Sequence, residues 1–198
     1  MTLDRLVRET PDIYAKIVRP YIESFPPERT SWVDNILSHK SEAEKILYTD
    51  DDFVILPDFK WDLKDVTTLY LQAITRHKRL RSLRDIRFAD LGMLRQIRRQ
   101  AYAAVQQFGI RQGGLRLYVH YQPSYYHFHV HIVQVNYSGF SGMNVGQAHL
   151  LDDIISLLEM DGVQEEGQSV FERMTFSYTL GQFHGLYDSM VEANKWLE

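Results

Sequence analysis

The chain has no cysteine. That excludes disulfides, zinc ribbons and thiol nucleophiles together, and it fits an intracellular protein. There is no apolar run of about 18 residues or more, so no membrane-spanning helix is expected. The first residues, "MTLDRLVRET", lack the apolar core of a signal peptide. Internal repeats and low-complexity tracts are missing too. Positive charge is not in excess: 22 Lys and Arg stand against 26 Asp and Glu, a net charge of −4. This argues against coating a long nucleic acid, because such binding rests on neutralising many phosphates. A small phosphorylated ligand held by local cations remains compatible with it. One stretch is locally basic, "RHKRLRSLRDIR" at 76–87, and reads as a solvated helix end and loop.

What is present is enough for one domain with a sizeable core: 198 residues, 44% of them hydrophobic. "ETPDIYAKIVRPYIESF" predicts a helix with Thr10 as N-cap, Pro11 at its first position, and Ile13, Ile17 and Tyr21 on one face. Pro20 is expected to kink or end it, and Pro26-Pro27 to break the chain. A short helix is expected in "SWVDNILSHKSEA", then a hairpin in "KILYTDDDFVILPD" with Asp50, Asp51 and Asp52 at its tip. "VTTLYLQAITR" and "FADLGMLRQIRRQAYAAVQQFG" read as amphipathic helices, the second closed by Gly109. "GLRLYVHYQ" and "YHFHVHIVQVN" read as strands flanking "PSY". "GQAHLLDDIISLLEM" predicts a helix ending at Gly162, with His149 at its start. "FERMTFSYTL" predicts a late strand and "YDSMVEANKWLE" a terminal helix. The class is α+β, an antiparallel sheet with flanking helices, without the regular β-α alternation of a doubly wound fold.

Half of the eight histidines fall in "HYQPSYYHFHVHIVQV", residues 120–135. In a strand His127, His129 and His131 share one face, while Phe128, Val130 and Ile132 fill the other. Three readings compete. A solvent-facing polar side would more often carry Thr, Lys or Glu. A zinc site could use three imidazoles and an open fourth position, yet adjacent same-face residues on a strand usually need a further ligand from elsewhere, and no HExxH is present. The third and favoured reading is nucleophilic catalysis at phosphorus. It needs a neutral, oriented imidazole with neighbouring donors for the phosphate oxygens.

His-Phe-His-Val-His-Ile-Val matches the pattern of the histidine-triad (HIT) superfamily, and "LRLYVHYQPSYYHFHVHIV" resembles the scavenger mRNA decapping enzymes more specifically. "VRETPDIY", "SWVDNILSHKSEAEKILY", "DDFVILPDFKW", "LYLQAITRHKRLRSLRDI" and "AHLLDDIISLLE" agree in order and spacing, so the resemblance covers nearly the whole chain. It implies a HIT-like fold at 30–198, preceded by a helical linker at 1–29, with the family's N-terminal exchanged domain absent from the chain.

The implied reaction is hydrolysis of 7-methylguanosine cap dinucleotides or short capped oligonucleotides to 7-methyl-GMP and a nucleoside diphosphate. His129 would be the nucleophile, His127 and His131 the phosphate contacts, and His120 the residue holding the nucleophile's ring. Trp32 would stack on the cationic base, Glu42 read its N–H edge, and Phe59 cover its other face. Asp58 would contact ribose and Lys60, Ser124 and Tyr125 the phosphates, while Tyr126 is expected to pack. No metal or other cofactor is implied, nor a membrane or a long nucleic acid partner. A homodimer in the cytoplasm and nucleus is.

His39, His77 and His184 match no site position. Gln147 departs from the pattern, standing where a phosphate-binding arginine is expected, in a loop one residue longer. Two alternatives stay open. One is another histidine-triad hydrolase of dinucleoside polyphosphates or phosphoramidates, which the pairing of Trp32 with Glu42 disfavours. The other is a cap-binding module with little turnover.

Overall fold

The computed structural model describes residues 4–139, 141–162 and 168–195. Its centre is a six-stranded antiparallel sheet. The strands are β2 (Tyr48–Thr49), β3 (Phe53–Pro57), β4 (Tyr70–Thr75), β5 (Leu115–His120), β6 (His129–Gln134) and β7 (Ala148–Leu150). Their order across the sheet is β2-β3-β4-β6-β5-β7, so β6 and its histidines lie in the interior. A separate two-stranded ribbon pairs β1 (Arg5–Glu9) with β8 (Phe176–Leu180). Within the described residues, the 1–29 segment therefore carries a strand ahead of its helical run.

The helical run follows β1. It comprises α1 (Pro11–Ile13), a π-helical turn (Tyr14–Val18) and α2 (Arg19–Glu23). Thr10 caps it as expected, its Oγ1 accepting from the Ile13 N–H at 3.3 Å. Pro20 does not end the run, because the wider π turn before it absorbs the missing N–H. The face that enters the core is Tyr14, Val18 and Ile22, one position on from the expected stripe, which is only half-buried.

α3 (Ser31–Leu37) packs Val33, Ile36 and Leu37 against Val54, Leu56 and Ile74 of β3 and β4 in a small second core. Each such side chain contributes about 1.5–3 kcal/mol on burial, which seats α3 over that face of the sheet. α4 (Leu91–Val105) covers the opposite face through Leu94, Ile97, Ala101 and Val105, and Gly109, at φ 75°, takes the left-handed turn that closes the helical stretch. α5 (Leu151–Asp161), α6 (Val170–Arg173) and α7 (Tyr187–Ala193) complete the chain.

Two expectations need correcting. "VTTLYLQAITR" is a short 3-10 turn followed by β4, not a helix, and all six residues of β4 are buried. A strand covered on both faces loses the polar alternation that marks a strand, so its apolar run mimics a helix stripe. His149 does not start a helix. It sits in β7 opposite Val119, while His120 faces Ala148, so His149 points to the sheet face away from His120.

Candidate active site

Register places the reactive face. Gln72 of β4 is opposite His131 and Ile74 opposite His129, while Tyr118 of β5 also faces His131. The polar side chains of three adjacent strands therefore converge on one patch. His129 and His131 are 2% and 3% exposed, so any free nitrogen on them is a desolvated one.

Each ring is fixed by one nitrogen. His129 Nδ1 lies 2.8 Å from the His127 carbonyl oxygen, which can only accept, so Nδ1 carries the proton and Nε2 carries the lone pair. His127 Nε2 likewise donates to the Thr75 carbonyl at 2.7 Å. His131 Nδ1 is 2.9 Å from the Tyr70 hydroxyl, which is itself 3.3 Å from that of Tyr118. On the other side of these rings the Nε2 atoms of His120, His129 and His131 are buried with no hydrogen-bond partner among the described residues. Leaving a buried polar atom unpaired costs about 1–3 kcal/mol, so three in one cluster mark a face suited to a ligand's polar atoms rather than a packed core.

Burial also sets the protonation state. Desolvation pushes His129 down to about 3; the hydrogen bond to the His127 carbonyl opposes it, and His120, His127 and Lys60 add smaller lowering contributions. The same desolvation holds His131 well below the ordinary range, and lowers His120 and His127. At neutral pH these rings are uncharged, which is the form a nitrogen nucleophile requires.

A cleft of about 380 Å³ opens over this patch. It is bordered by Trp32, Glu42, Asp58, Phe59, Lys60, His120, Ser124, Tyr125 and His131, which brings nine of the eleven expected site residues together. Trp32 and Phe59 are 41% and 90% exposed at its mouth, as rings waiting for a flat ligand would be. Glu42 stands in the left-handed region at φ 54°, an uncommon conformation for a non-glycine residue, with its carboxylate 3.2 Å from Lys45 Nζ. Lys60 Nζ lies 4.9 Å from the Tyr70 ring centre, over the buried tyrosine pair.

The other two residues sit deeper. His129 lies beneath Tyr125, the two rings parallel within 8° and 4.1 Å apart. His127 comes before β6 and borders a neighbouring cleft of about 490 Å³ with Phe25, Arg29, Lys78, Arg81 and Tyr126. Contrary to expectation, His120 does not hold the His129 ring, because the His127 carbonyl does so. Its own ring packs 4.3 Å from that of His131.

Asp58 is 4% exposed and is occupied within the protein, accepting from the Lys60 N–H at 2.9 Å and from Gln72 Nε2. Gln72 was not foreseen. It ties Asp58 to Tyr125, whose hydroxyl donates to Gln72 Oε1 at 3.1 Å, and so links the base side of the cleft to the histidine side. Gln147 is committed elsewhere, donating to the Thr179 carbonyl at 2.7 Å. Its loop includes Phe140, which lies outside the described residues.

Of the remaining histidines, His77 pairs with Asp52 at 2.8 Å, His184 Nδ1 accepts from the Leu186 N–H, and His39 is exposed. Among the described residues no group of three or more His, Asp or Glu is arranged to hold a metal ion, and no helix is long and apolar enough to cross a membrane.

The family model described as "Scavenger mRNA decapping enzyme C-term binding" matches residues 31–146. The m7GpppX diphosphatase of Schizosaccharomyces pombe is 37% identical over 197 residues, covering 96% of this chain and 62% of that protein. That of Caenorhabditis elegans is 40% identical over 195 residues, covering 96% and 60%. The chain thus spans about three-fifths of the length of these curated relatives. Among solved structures, a HIT family hydrolase from Legionella pneumophila is similar with a TM-score of 0.44 and 19% identity, covering 54% of this chain and 94% of that one. With the matched segment running from α3 past β6 and so enclosing the whole cleft, the chain belongs to the scavenger mRNA decapping enzyme family.

Proposed function

We propose that this chain hydrolyses 7-methylguanosine cap dinucleotides and short capped oligonucleotides, with His129 as nucleophile. The observation that carries the reading is the His129 ring: neutral, held through Nδ1, and presenting an unpartnered Nε2 beside those of His131 and His120.

The lone pair of Nε2 lies in the ring plane. Tyr125, stacked on the ring face, therefore fixes the imidazole through its π face and not through the lone pair. Nε2 attacks the phosphorus adjoining 7-methylguanosine, forming an N–P bond while the bond to the bridging oxygen breaks. The nucleoside diphosphate leaves as its phosphate anion. Water then cleaves the N–P bond, releasing 7-methyl-GMP and restoring the free ring. Ser124 and Lys60, at the rim of the same cleft, supply donors and charge to the phosphate oxygens. The base lies between Trp32 and Phe59 with Glu42 at its N–H edge, an arrangement that favours a cationic purine over a neutral one. Single-turnover hydrolysis of 7-methylguanosine- and adenosine-capped dinucleotides tests the reading. Equal rates would refute the base assignment, and no hydrolysis of either would refute the reaction.

Homodimer assembly belongs to the same proposal. Exposed Leu150 on the three-residue edge strand β7 and exposed Val145 before it support an edge that a second copy could cover. Sedimentation at twice the 23.3 kDa chain mass is the expected result, and sedimentation as a single chain would reject it. The proposed location is the cytoplasm and nucleus, which imaging of the tagged protein tests.

A further inference from the structure

Glu9, the last residue of β1, is fully buried and uses both carboxylate oxygens. Oε1 accepts from Arg84 Nε and Nη2 at 3.0 and 2.8 Å and from the Tyr121 hydroxyl at 2.5 Å. Oε2 receives nothing from Arg84. It accepts instead from the Tyr178 hydroxyl at 2.6 Å and from Gln122 Nε2 at 3.0 Å. Gln122 passes the constraint on, since its Oε1 accepts from the Tyr126 hydroxyl at 3.2 Å.

The second oxygen is shared between Tyr178 of β8 and Gln122, and through Gln122 its hold extends to Tyr126. The segment 121–126 is thereby held at both ends by hydrogen bonds that lead back to one residue 113 positions from Gln122 in the chain. Between those ends lie Ser124 and Tyr125, the first on the cleft wall and the second stacked on His129.

We propose that Glu9 and Gln122 are positioning residues. The carboxylate fixes Gln122, Gln122 fixes Tyr126, and together they hold Ser124 and Tyr125 in register with His129. This rests on the reaction proposed above.

The direct variant, Glu9→Gln, strands the Arg84 charge and would confuse folding with positioning. Gln122→Met is the better probe, because it keeps length and bulk, removes the amide, and leaves Glu9 paired with Arg84. The expected result is a loss of kcat of about tenfold or more on a methylated cap dinucleotide, as displacement of positioned groups produces. Affinity for 7-methyl-GMP should stay within about twofold, since Trp32 and Glu42 are untouched. Tyr126→Phe should move kcat in the same direction by less. Ile97→Ala, a core cavity on α4, should lower the melting temperature without lowering kcat. The imidazole resonances of His129 are read in the same samples, and loss of the Tyr125 stack should shift them.

Retention of kcat within about twofold in Gln122→Met overturns the proposal, because positioning must act on the rate. An equal loss of kcat in Ile97→Ala reduces it to stability and overturns it too. If the unaltered chain turns over no capped dinucleotide, the reaction fails. The His129 resonances then decide positioning alone, and unmoved resonances in Gln122→Met overturn it.

Discussion

Two buried polar clusters flank the segment 121–126, and they differ in how completely they are satisfied. Around Glu9 and Arg84, both carboxylate oxygens and all three guanidinium nitrogens have partners. Around His129, one nitrogen of each of three rings has none. Both clusters are buried, yet only the second leaves ring nitrogens without hydrogen-bond partners among the described residues. The first reads as structure that positions, and the second as chemistry waiting for phosphate oxygens and phosphorus. Perturbing the two clusters should therefore have opposite signatures: loss of stability at Glu9, and loss of rate with little loss of stability at His129.

The largest expected effect is on rate. His129→Asn should lower kcat on a methylated cap dinucleotide about a thousandfold or more, as loss of a nucleophile does, while binding of 7-methyl-GMP stays nearly intact. Turnover within about tenfold of the unaltered chain would sink the nucleophile assignment.

The largest effect on stability belongs to the other cluster. Glu9→Gln should cost about 3–5 kcal/mol, the range for breaking a buried ion pair from one side. Urea unfolding measures it. A cost under about 1 kcal/mol would mean that the cluster is wetter or more tolerant than its burial indicates.

Base recognition comes next. Trp32→Ala should weaken 7-methyl-GMP binding by about 1–3 kcal/mol, the value of one base–aromatic stack. It should also erase the preference for methylated over unmethylated guanine, because the cation–π attraction belongs to the methylated base. Titration calorimetry with both nucleotides decides, and unchanged methyl discrimination would move the base away from Trp32.

The histidine cluster also sets an acid limit. The folded-state values of His129 and His131 are depressed below the ordinary 6.5. Below pH 6.5 the unfolded chain therefore takes up protons that the folded chain refuses, and stability falls as pH drops from 6.5 toward about 3 for His129. Each such ring contributes a slope of about 1.4 kcal/mol per pH unit in that window. His129→Asn should make the slope shallower by one ring. Urea midpoints taken at successive pH values show this, and an unchanged slope would mean that His129 titrates normally. The smallest effect is none at all: EDTA should leave activity unaltered, because the proposed mechanism uses the ring nitrogens as nucleophile and donors. Activity lost on chelation and restored by zinc would revive the metal reading.

How much of this was legible in the sequence differs between the same two clusters. The histidine strand announces itself, because consecutive same-face positions in a strand are spaced by two and His129 and His131 obey that spacing. The resemblance named Trp32, Glu42, Asp58 and Lys60, and the fold brings them to one cleft. Gln72 and Tyr70 were missed because β4, buried on both faces, carries the composition of a helix stripe. β-branched and aromatic enrichment in that run, with Thr67, Thr68 and Tyr70 close together, was the signal available. The Glu9 cluster left no local trace. Its partners Arg84, Tyr121 and Tyr178 come from distant parts of the chain, and only the pairing of β1 with β8 and the packing against the main sheet bring them together. The role given to His120 failed for a related reason. The resemblance implied that it would hold the His129 ring, but which atom orients that ring depends on the local path of the backbone at His127.

The most direct measurement is to capture the covalent intermediate. The chain is mixed with a 7-methylguanosine-capped dinucleotide, quenched at high pH where histidine N–P bonds persist, and digested for mass spectrometry. The expected product is a 7-methylguanylyl adduct on the peptide containing residue 129, attached at His129 and absent from His129→Asn. An adduct on His120, His127 or His131, or steady turnover through which no adduct forms at any quench time, would contradict the assignment of His129 as the attacking residue.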